Sequence, residues 1–227
     1  MQTKKPWRIG TRAKLLMRGL RYSCILPYAS IDGWLTVDEA ITLLELAQGL
    51  PEQRPRVVEI GSWQGKSTVC IATGLRDKLE PQLVCIDPFD ASGDAESADL
   101  YDQRHNALGG PLRQAFESNL GQCGEVRGFV DVRQGFSFEH ADSVDEGVDM
   151  LFLDGDHSYD AVRRDFDDWA NKVRPGGYLA MHDVVHDVHE GPRRVVDESV
   201  LNDPAWIDHR YVDSMFVARR APSESPA

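Results

Sequence analysis

The stretch that decides the fold is Val57-Val58-Glu59-Ile60-Gly61-Ser62-Trp63-Gln64-Gly65-Lys66-Ser67-Thr68. Its first residues have the β-branched, apolar character of a buried strand, and a Gly-x-x-x-Gly turn leads from them into a helical pattern. Gly61 permits the tight turn, and Gly65 is expected to let a ligand lie against the backbone at the helix N-terminus. The turn differs from the dinucleotide pattern Gly-x-Gly-x-x-Gly, and its spacing is too short for a phosphate-binding loop.

Short β-branched runs alternate with amphipathic helical stretches along the chain, which predicts an α/β fold with a mostly parallel sheet and helices on both faces. The last two runs follow each other closely, so an antiparallel edge strand is expected. The polar stretch 90–110 exceeds an ordinary connection of about 2 to 6 residues and is predicted to be a lid loop or a substrate wall. Strands are predicted at 56–60, 82–86, 130–134, 150–153, 178–181, 206–211 and 214–218, helices at 36–48, 67–79, 111–120, 159–173 and 192–201, and a turn at 175–177.

Charge and length limit the classes of partner. The 227 residues are 41% apolar and carry 25 Lys and Arg against 37 Asp and Glu, a net charge of −12, so a nucleic-acid ligand is not expected. No apolar stretch approaches the roughly 20 residues of a membrane span, and a cytoplasmic protein is expected. Residues 1–21 nevertheless hold seven basic residues and no acid. The chain is divided into a basic N-terminal arm (1–33), one domain (34–220) and a disordered tail (221–227).

Two acids accompany the glycine turn. Asp87 follows Gly61 by 26 residues and ends the second predicted strand, where a carboxylate can accept the ribose hydroxyls of an adenosine. Glu59 lies inside the first strand, and an acid buried there is costly without a partner. Glu59 is therefore interpreted as part of a site, with a buried Glu bonded to backbone amides or to Arg as the alternative.

Two later strands end abruptly in acids and histidines. Asp154 and His157 follow one of them, and His182 and Asp183 follow the next. Because the carboxyl ends of parallel strands share one edge of a sheet, Asp154, His182 and Asp183 are expected to converge. Two carboxylates and an imidazole clustered there would repel or desolvate one another, and a hard divalent cation would resolve the conflict.

The chain resembles the class I S-adenosylmethionine-dependent methyltransferases over residues 34–218, with Glu59-Ile60-Gly61-Ser62-Trp63-Gln64-Gly65 as the first motif. The resemblance implies a single Rossmann-like domain with a seven-stranded sheet. It also implies that the glycine turn passes under the methionine of the cofactor, that Asp87 holds the ribose and that the turn 135–137 contacts adenine. The implied cofactor-binding residues are Glu59, Gly61, Gly65, Ser67, Asp87, Ser137 and Asp154.

The two acidic segments resemble the metal-dependent O-methyltransferases of macrolide sugars and of mycobacterial methylmannose polysaccharides. This likeness implies Mg²⁺, or else Mn²⁺, on Asp154, His182 and Asp183, although relatives often carry a carboxylate or an amide where this chain has His182. It further implies that His157 removes the proton from a sugar hydroxyl. The alternative is that His157 caps the following helix or orients Asp154.

Other readings stay open at this point. A catechol or acyl-phenol O-methyltransferase would use the same metal geometry, and a non-catalytic S-adenosylmethionine-binding protein would use none. His186 and His189 either hold a second metal with His182 or belong to a polar loop. The expected partners are a small-molecule or oligosaccharide hydroxyl substrate and a second copy of the chain, as a homodimer.

Overall fold

The computed structural model of the chain describes residues 10–93, 97–186 and 188–223, apart from the side chain of Glu125. The first nine residues of the predicted basic arm and the last four of the predicted tail lie outside these ranges. So do residues 94–96 of the predicted lid and Asp187 of the histidine-rich segment.

One seven-stranded sheet forms the centre of the domain, with the strand order β3-β2-β1-β4-β5-β7-β6. Strands β1 to β5 pair in parallel, and β7 pairs antiparallel with both β5 and β6 at one edge of the sheet. The α/β Rossmann-like fold expected from the sequence is therefore confirmed, including the antiparallel edge. The strands are β1 (Arg56–Ile60), β2 (Gln82–Asp87), β3 (Val130–Gln134), β4 (Val148–Leu153), β5 (Val173–Met181), β6 (Trp206–Val212) and β7 (Met215–Arg220).

Helices cover both faces of the sheet because its side chains alternate between two apolar cores. In β1, Val57 packs into the core beneath α2, α3 and α5, and Val58 packs into the core beneath α7 and α8; Met150 and Leu151 of β4 divide in the same way. The helices are α1 (Thr11–Arg18), α2 (Val37–Gln48), α3 (Lys66–Leu75), α4 (Ala98–Leu108), α5 (Leu112–Gly121), α6 (Ser137–His140), α7 (Tyr159–Trp169) and α8 (Gly191–Ser199), with short 3₁₀ segments at Leu20–Ser30, Glu125–Phe129, Ala141–Ser143 and Ala170–Lys172.

The structure differs from the predicted elements in several places: α3 ends at Leu75 and α7 at Trp169, before the predicted ends, and the predicted lid and turn have other structures. The stretch predicted as a lid without secondary structure contains α4, a helix that buries none of its residues. Its sequence therefore lacks the apolar stripe by which an amphipathic helix is recognised, and the helix was not predicted. The residues predicted as a turn at 175–177 belong to β5, which begins at Val173 with an irregular register against β4.

The described part of the basic arm packs against the domain. Tyr22, Ile25 and Tyr28 are buried in the core formed with α2 and α3, and two arginines of the arm, Arg18 and Arg21, pair with acids of α2. Within the described ranges, no helix is both long and apolar enough to cross a bilayer.

Candidate active site

A cavity of about 1040 Å³ opens at the carboxyl ends of the strands, where the strand order reverses between β1 and β4. Ligands of open α/β sheets bind at such a switch point. Backbone hydrogen bonds from Asp154 N to Ile60 O (2.8 Å) and from His182 N to Leu153 O (3.0 Å) hold the three central strand ends side by side. Of the residues predicted from the sequence, those that line the cavity are Gly61, Ser67, Asp87, Ser137, Asp154, His157, His182 and Asp183.

Glu59 lies beneath the cavity and has no exposed surface. Its carboxylate accepts hydrogen bonds from the hydroxyls of Ser62 (2.9 Å), Ser67 (2.6 Å) and Thr68. Burial raises the pKa of Glu59, and the hydroxyl donors only partly oppose that rise. Glu59 thus braces the glycine turn from below, which differs from the direct cofactor contact predicted from the sequence.

The two glycines of the turn are required by close packing within the protein. Gly61 has φ of +82°, and a Cβ there would lie 2.0 Å from the carbonyl oxygen of Asp154. Gly65 has φ of +85°, and its Cβ would lie 3.1 Å from the ring of Phe116. Glycine is thus required at both positions. At Gly65, however, the atoms that exclude a Cβ belong to a side chain of α5 and not to a ligand in the cavity, as the sequence had suggested.

Asp87 ties the end of β2 to the glycine turn. Its Oδ2 accepts the backbone N–H groups of Ser62 and Trp63, both at 2.8 Å, and its Oδ1 accepts the N–H of Phe89 at 2.6 Å. Burial raises the pKa of Asp87 against these donors. A carboxylate has about four acceptor sites, so roughly one remains for a ligand, fewer than the two ribose bonds predicted from the sequence.

The turn after β3 contacts an acid of α7 that sequence reasoning missed. Ser137 donates its hydroxyl to the buried Asp165 of α7, and burial raises the pKa of Asp165 to about 6. Asp165 lies on the face of α7 that also buries Val162 and Phe166. An acid among the apolar positions of an amphipathic helix was the signal that could have identified it.

The predicted acidic centre does assemble at the ends of β4 and β5. His182 is buried, and its Nδ1 lies 3.0 Å from Oδ1 of Asp154 and 3.3 Å from Oδ2 of Asp183. The same Oδ2 of Asp183 lies 3.3 Å from Nε2 of His157. Asp183 has φ of +53°, a left-handed conformation that Asp tolerates and that directs its carboxylate between the two imidazoles.

A second acid that the sequence analysis passed over, Glu39 of α2, closes the centre from the other side. Glu39 has no exposed surface, and its Oε2 lies 3.3 Å from Nε2 of His182. Its Oε1 accepts both the backbone N–H (2.9 Å) and the hydroxyl (2.7 Å) of Ser214. Glu39 also forms a capping box with Thr36 at the start of α2, and this local role accounts for an acid at that position without a second contact.

The pKa shifts follow from this crowding. Burial would raise the pKa of Glu39, but hydrogen bonds from His182, Thr36 and Ser214 lower it to about 2. Burial likewise opposes the shift of Asp183, whose pKa the two histidines hold well below its usual range. Burial also opposes charging of His182, yet its pKa is raised because Asp154, Asp183 and Glu39 surround the ring. In the absence of a metal, the three carboxyl groups thus favour the protonated form of His182, and a metal ion bound at Nδ1 would displace that proton.

Among the described residues, two overlapping sets of side chains have ligand atoms close enough for a metal ion. Asp154, His182 and Asp183 form one set, and His157, Asp183 and His189 form the other, with all ligand atoms of a set within 4.8 Å of one another. The rings of His157 and His189 stack with centroids 4.2 Å apart. The first set offers two oxygens and one nitrogen and suits a hard cation such as Mg²⁺, whereas the second offers two nitrogens and one oxygen and suits a borderline metal.

Asp156 and His157 are neighbours in sequence but have different surroundings at the start of α7. Asp156 accepts the N–H of Ser158 at 2.6 Å, just before α7, so it stabilises the helix entry. His157 instead faces Asp183 and the cavity.

Three aromatic rings form a wall of the same cavity: Trp34, Trp63 and Tyr101 of α4. Tyr101 contacts both tryptophans edge-on, with centroids 5.2 Å apart in each case. The guanidinium of Arg104 lies 4.4 Å from the ring centroid of Trp34 and pairs with Asp32. These aromatic and ionic contacts thereby hold α4 over the cavity, although none of its residues is fully buried.

Comparison with known proteins gives a family and several structural relatives. The profile of the family described as "Methyltransferase domain" matches residues 58–184. The uncharacterized protein R132 of Acanthamoeba polyphaga mimivirus is 27% identical over 126 residues, which are 56% of this chain and 50% of that protein. The chain thus spans half the length of this relative.

Two solved structures cover nearly the whole chain. Cofactor-bound Rv0187 from MTB has a TM-score of 0.63 at 15% identity, covering 96% of this chain and 100% of the other. The O-methyltransferase TomG of Streptomyces achromogenes, involved in tomaymycin synthesis and solved with S-adenosylmethionine, has a TM-score of 0.60 at 17% identity, with coverage of 96% and 92%. At these identities the likeness establishes the fold.

Proposed function

Because this chain belongs to the methyltransferase domain family, we propose that it is an S-adenosylmethionine-dependent, divalent-metal-dependent O-methyltransferase acting on a hydroxyl of a sugar or glycan-type substrate. The observation that carries the proposal is the placement of Asp154, His182, Asp183 and His157 in one cavity with the glycine turn of β1.

The cofactor half of the cavity suits S-adenosylmethionine, which TomG holds in its crystal structure. Bound there, the cofactor would supply a methyl group activated by its sulfonium charge. Gly61 and Ser67 line the turn at the methionine end, Asp87 offers an acceptor to the ribose, and Ser137 lies in the turn proposed for the adenine. Glu59 acts on this half indirectly, by bracing the turn.

The charged half of the cavity suits a divalent cation on Asp154, His182 and Asp183. Mg²⁺ is the first candidate because two of the three ligands are carboxylates, and the imidazole makes Mn²⁺ the alternative. Such a cation would supply Lewis-acid polarisation of an acceptor hydroxyl.

In this proposal His157 takes the proton of the acceptor hydroxyl. Its ring lies in the cavity wall, and the carboxylate of Asp183 beside Nε2 would stabilise the imidazolium that forms when the ring accepts a proton. Asp183 also fixes the ring's orientation, so the base and the cation ligands share one carboxylate. Proton removal by His157 therefore depends on the position of Asp183 in the cation site.

The aromatic wall supports an acceptor with a ring. The faces of Trp34, Trp63 and Tyr101 offer apolar area against which the C–H face of a sugar can pack, while the charged centre takes its hydroxyls. The same wall also favours the second candidate, a catechol or acyl-phenol acceptor, because a flat aromatic ring packs there equally well. A homodimer and a cytoplasmic location stay predictions of the sequence.

Methyl transfer from radiolabelled S-adenosylmethionine to glycan, phenol and lipid extracts tests the proposal. Label in the glycan fraction, lost with EDTA and restored by Mg²⁺ or Mn²⁺, is expected, whereas label confined to the phenol fraction would select the second candidate. His157→Ala and Asp154→Ala should each remove the transfer, and calorimetry should show cofactor binding intact in His157→Ala. Full activity in EDTA would overturn the proposed metal dependence. Saturable cofactor binding with no methylated acceptor in any fraction would instead indicate a non-catalytic binding protein.

A further inference from the structure

We infer that Glu39 is a positioning residue for the metal centre: it holds the ring of His182 through Nε2 so that Nδ1 faces Asp154 and Asp183. The inference rests on the proposed cation site and adds to it a residue from outside the strand ends. Glu39 comes from the first turn of α2, and 143 residues separate it from His182 in sequence.

The contacts of Glu39 go beyond those of a helix cap. Of the Glu39 side chain, a capping box requires only that it accept the N–H of Thr36, and Oε2 does so at 2.8 Å. Here the same oxygen also faces Nε2 of His182 at 3.3 Å, and Oε1 accepts two donors from Ser214. Most capping residues lie at the surface, whereas Glu39 has no exposed surface at all.

This geometry determines which nitrogen of His182 is available. A carboxylate is only an acceptor, so Nε2 carries a hydrogen toward Glu39, and Nδ1 is left facing Asp154 at 3.0 Å and Asp183 at 3.3 Å. Histidines that bind metals commonly donate their other N–H to a carboxylate, which fixes the ring and strengthens the ligand. Glu39, His182 and the two aspartates have this arrangement.

The turn between β6 and β7 completes the support. Ser214 places its hydroxyl 3.3 Å from Nε2 of His182 and 2.7 Å from Oε1 of Glu39, so helix α2, the end of β5 and the β6–β7 turn converge on one imidazole. The edge hairpin therefore has a part in orienting the centre, besides closing the sheet.

Binding of Mn²⁺ to the full-length, metal-free chain tests this role, because the electron paramagnetic resonance signal of free Mn²⁺ reports occupancy without turnover. Glu39→Gln is the informative change, since Gln also completes a capping box and retains an acceptor for Ser214. Affinity for Mn²⁺ is expected to fall about 10- to 100-fold. Glu45→Gln is the matched control on the same helix, at a partly exposed residue that pairs with Arg21, and it should bind like the wild type.

A double-mutant cycle separates positioning from a simple charge effect. If Glu39 acts through the imidazole, Glu39→Gln should cause no further loss of Mn²⁺ affinity in the His182→Ala background. An equal loss in both backgrounds, or wild-type affinity in Glu39→Gln, would overturn the inference and leave the proposed metal site standing. Absence of Mn²⁺ binding by the wild-type chain would overturn both. Circular dichroism melts identify any variant whose loss reflects unfolding.

Discussion

The two halves of the cavity hold their acids in opposite ways. On the β1–β2 side, Glu59 and Asp87 are satisfied by neutral donors, which are three hydroxyls and three backbone N–H groups. On the β4–β5 side, Glu39 and Asp183 lie against imidazoles. Burial raises the pKa values of the first pair, and the histidines lower those of the second pair despite burial. Asp154, also on the β4–β5 side, is the exception, because burial raises its pKa in spite of the neighbouring His182.

The difference shows what each half requires of a ligand. The cofactor half is complete without an added charge, because its carboxyls brace loops that present backbone and hydroxyl groups. The charged half groups three carboxyl groups around His182, and a divalent cation bound there would replace the proton on Nδ1 of that ring. We expect the first half to bind the cofactor specifically and the second half to carry out the chemical step.

The largest effect is expected from Asp183→Asn, because this carboxylate serves both His157 and His182. The turnover rate should fall about a thousandfold, in the range of a lost general base, while the dissociation constant for S-adenosylmethionine stays within a few-fold. Initial rates with labelled cofactor and calorimetry measure the two quantities. A rate within tenfold of the wild type would contradict the division of the cavity into a binding half and a chemical half.

A matched pair of Glu→Gln changes compares the halves in stability. Glu39→Gln removes the buried partner of an imidazolium and should cost about 3 kcal/mol or more of the free energy of unfolding at pH 7. Glu59→Gln keeps acceptors for neutral hydroxyls and should cost about 1 kcal/mol. Because the folded-state pKa of Glu39 lies below its unfolded value, its contribution is present above about pH 4.3 and is lost as the pH falls through the folded-state pKa. Urea titrations at pH 7 and pH 3 measure these differences. Equal losses of unfolding free energy in Glu39→Gln and Glu59→Gln at pH 7 would contradict the proposed difference between the two halves.

Asp165 should show the opposite pH dependence. Burial raises the pKa of Asp165 to about 6, above its unfolded value, so the folded state is favoured at low pH and loses stability as the pH rises through 6. Asp165→Asn keeps an acceptor for Ser137 and cannot ionise. The variant should therefore gain about 2 to 3 kcal/mol over the wild type between pH 4 and pH 8. A stability difference that does not change with pH in paired denaturant titrations would argue against this assignment.

The smallest effect is expected from Tyr101→Ala, which removes the contact of α4 with Trp34 and Trp63. About a tenfold loss of kcat/KM is expected, mainly through KM, because the wall would bind the acceptor without touching the reacting atoms. Steady-state kinetics on the identified acceptor measure it. Leu79→Ala, at an exposed residue outside the cavity, is the control, and a loss in kcat alone would assign Tyr101 to the chemical half instead.

Much of the fold follows from local patterns, and the exceptions have physical causes. The strands were predictable because buried parallel strands read as short apolar runs, and α2 because Thr36 and Glu39 form a capping box. Helix α4 was missed because its contacts are aromatic rings and an ion pair at its own edge of the cavity. In the site, the acids that directly follow strands were found, whereas Glu39 and Asp165, both on helices, were not.

The sequence by itself determined the seven strands, the glycine turn and the convergence of Asp154, His182 and Asp183, because spacing and periodicity place these residues at one edge of the sheet. Only the tertiary structure decided which donors meet each buried carboxyl group. Those partners come from distant segments, as with Glu39 and His182, and a carboxyl group's pKa depends on the partner and the burial around it. The same residue type therefore braces a loop at Glu59 and holds an imidazole at Glu39.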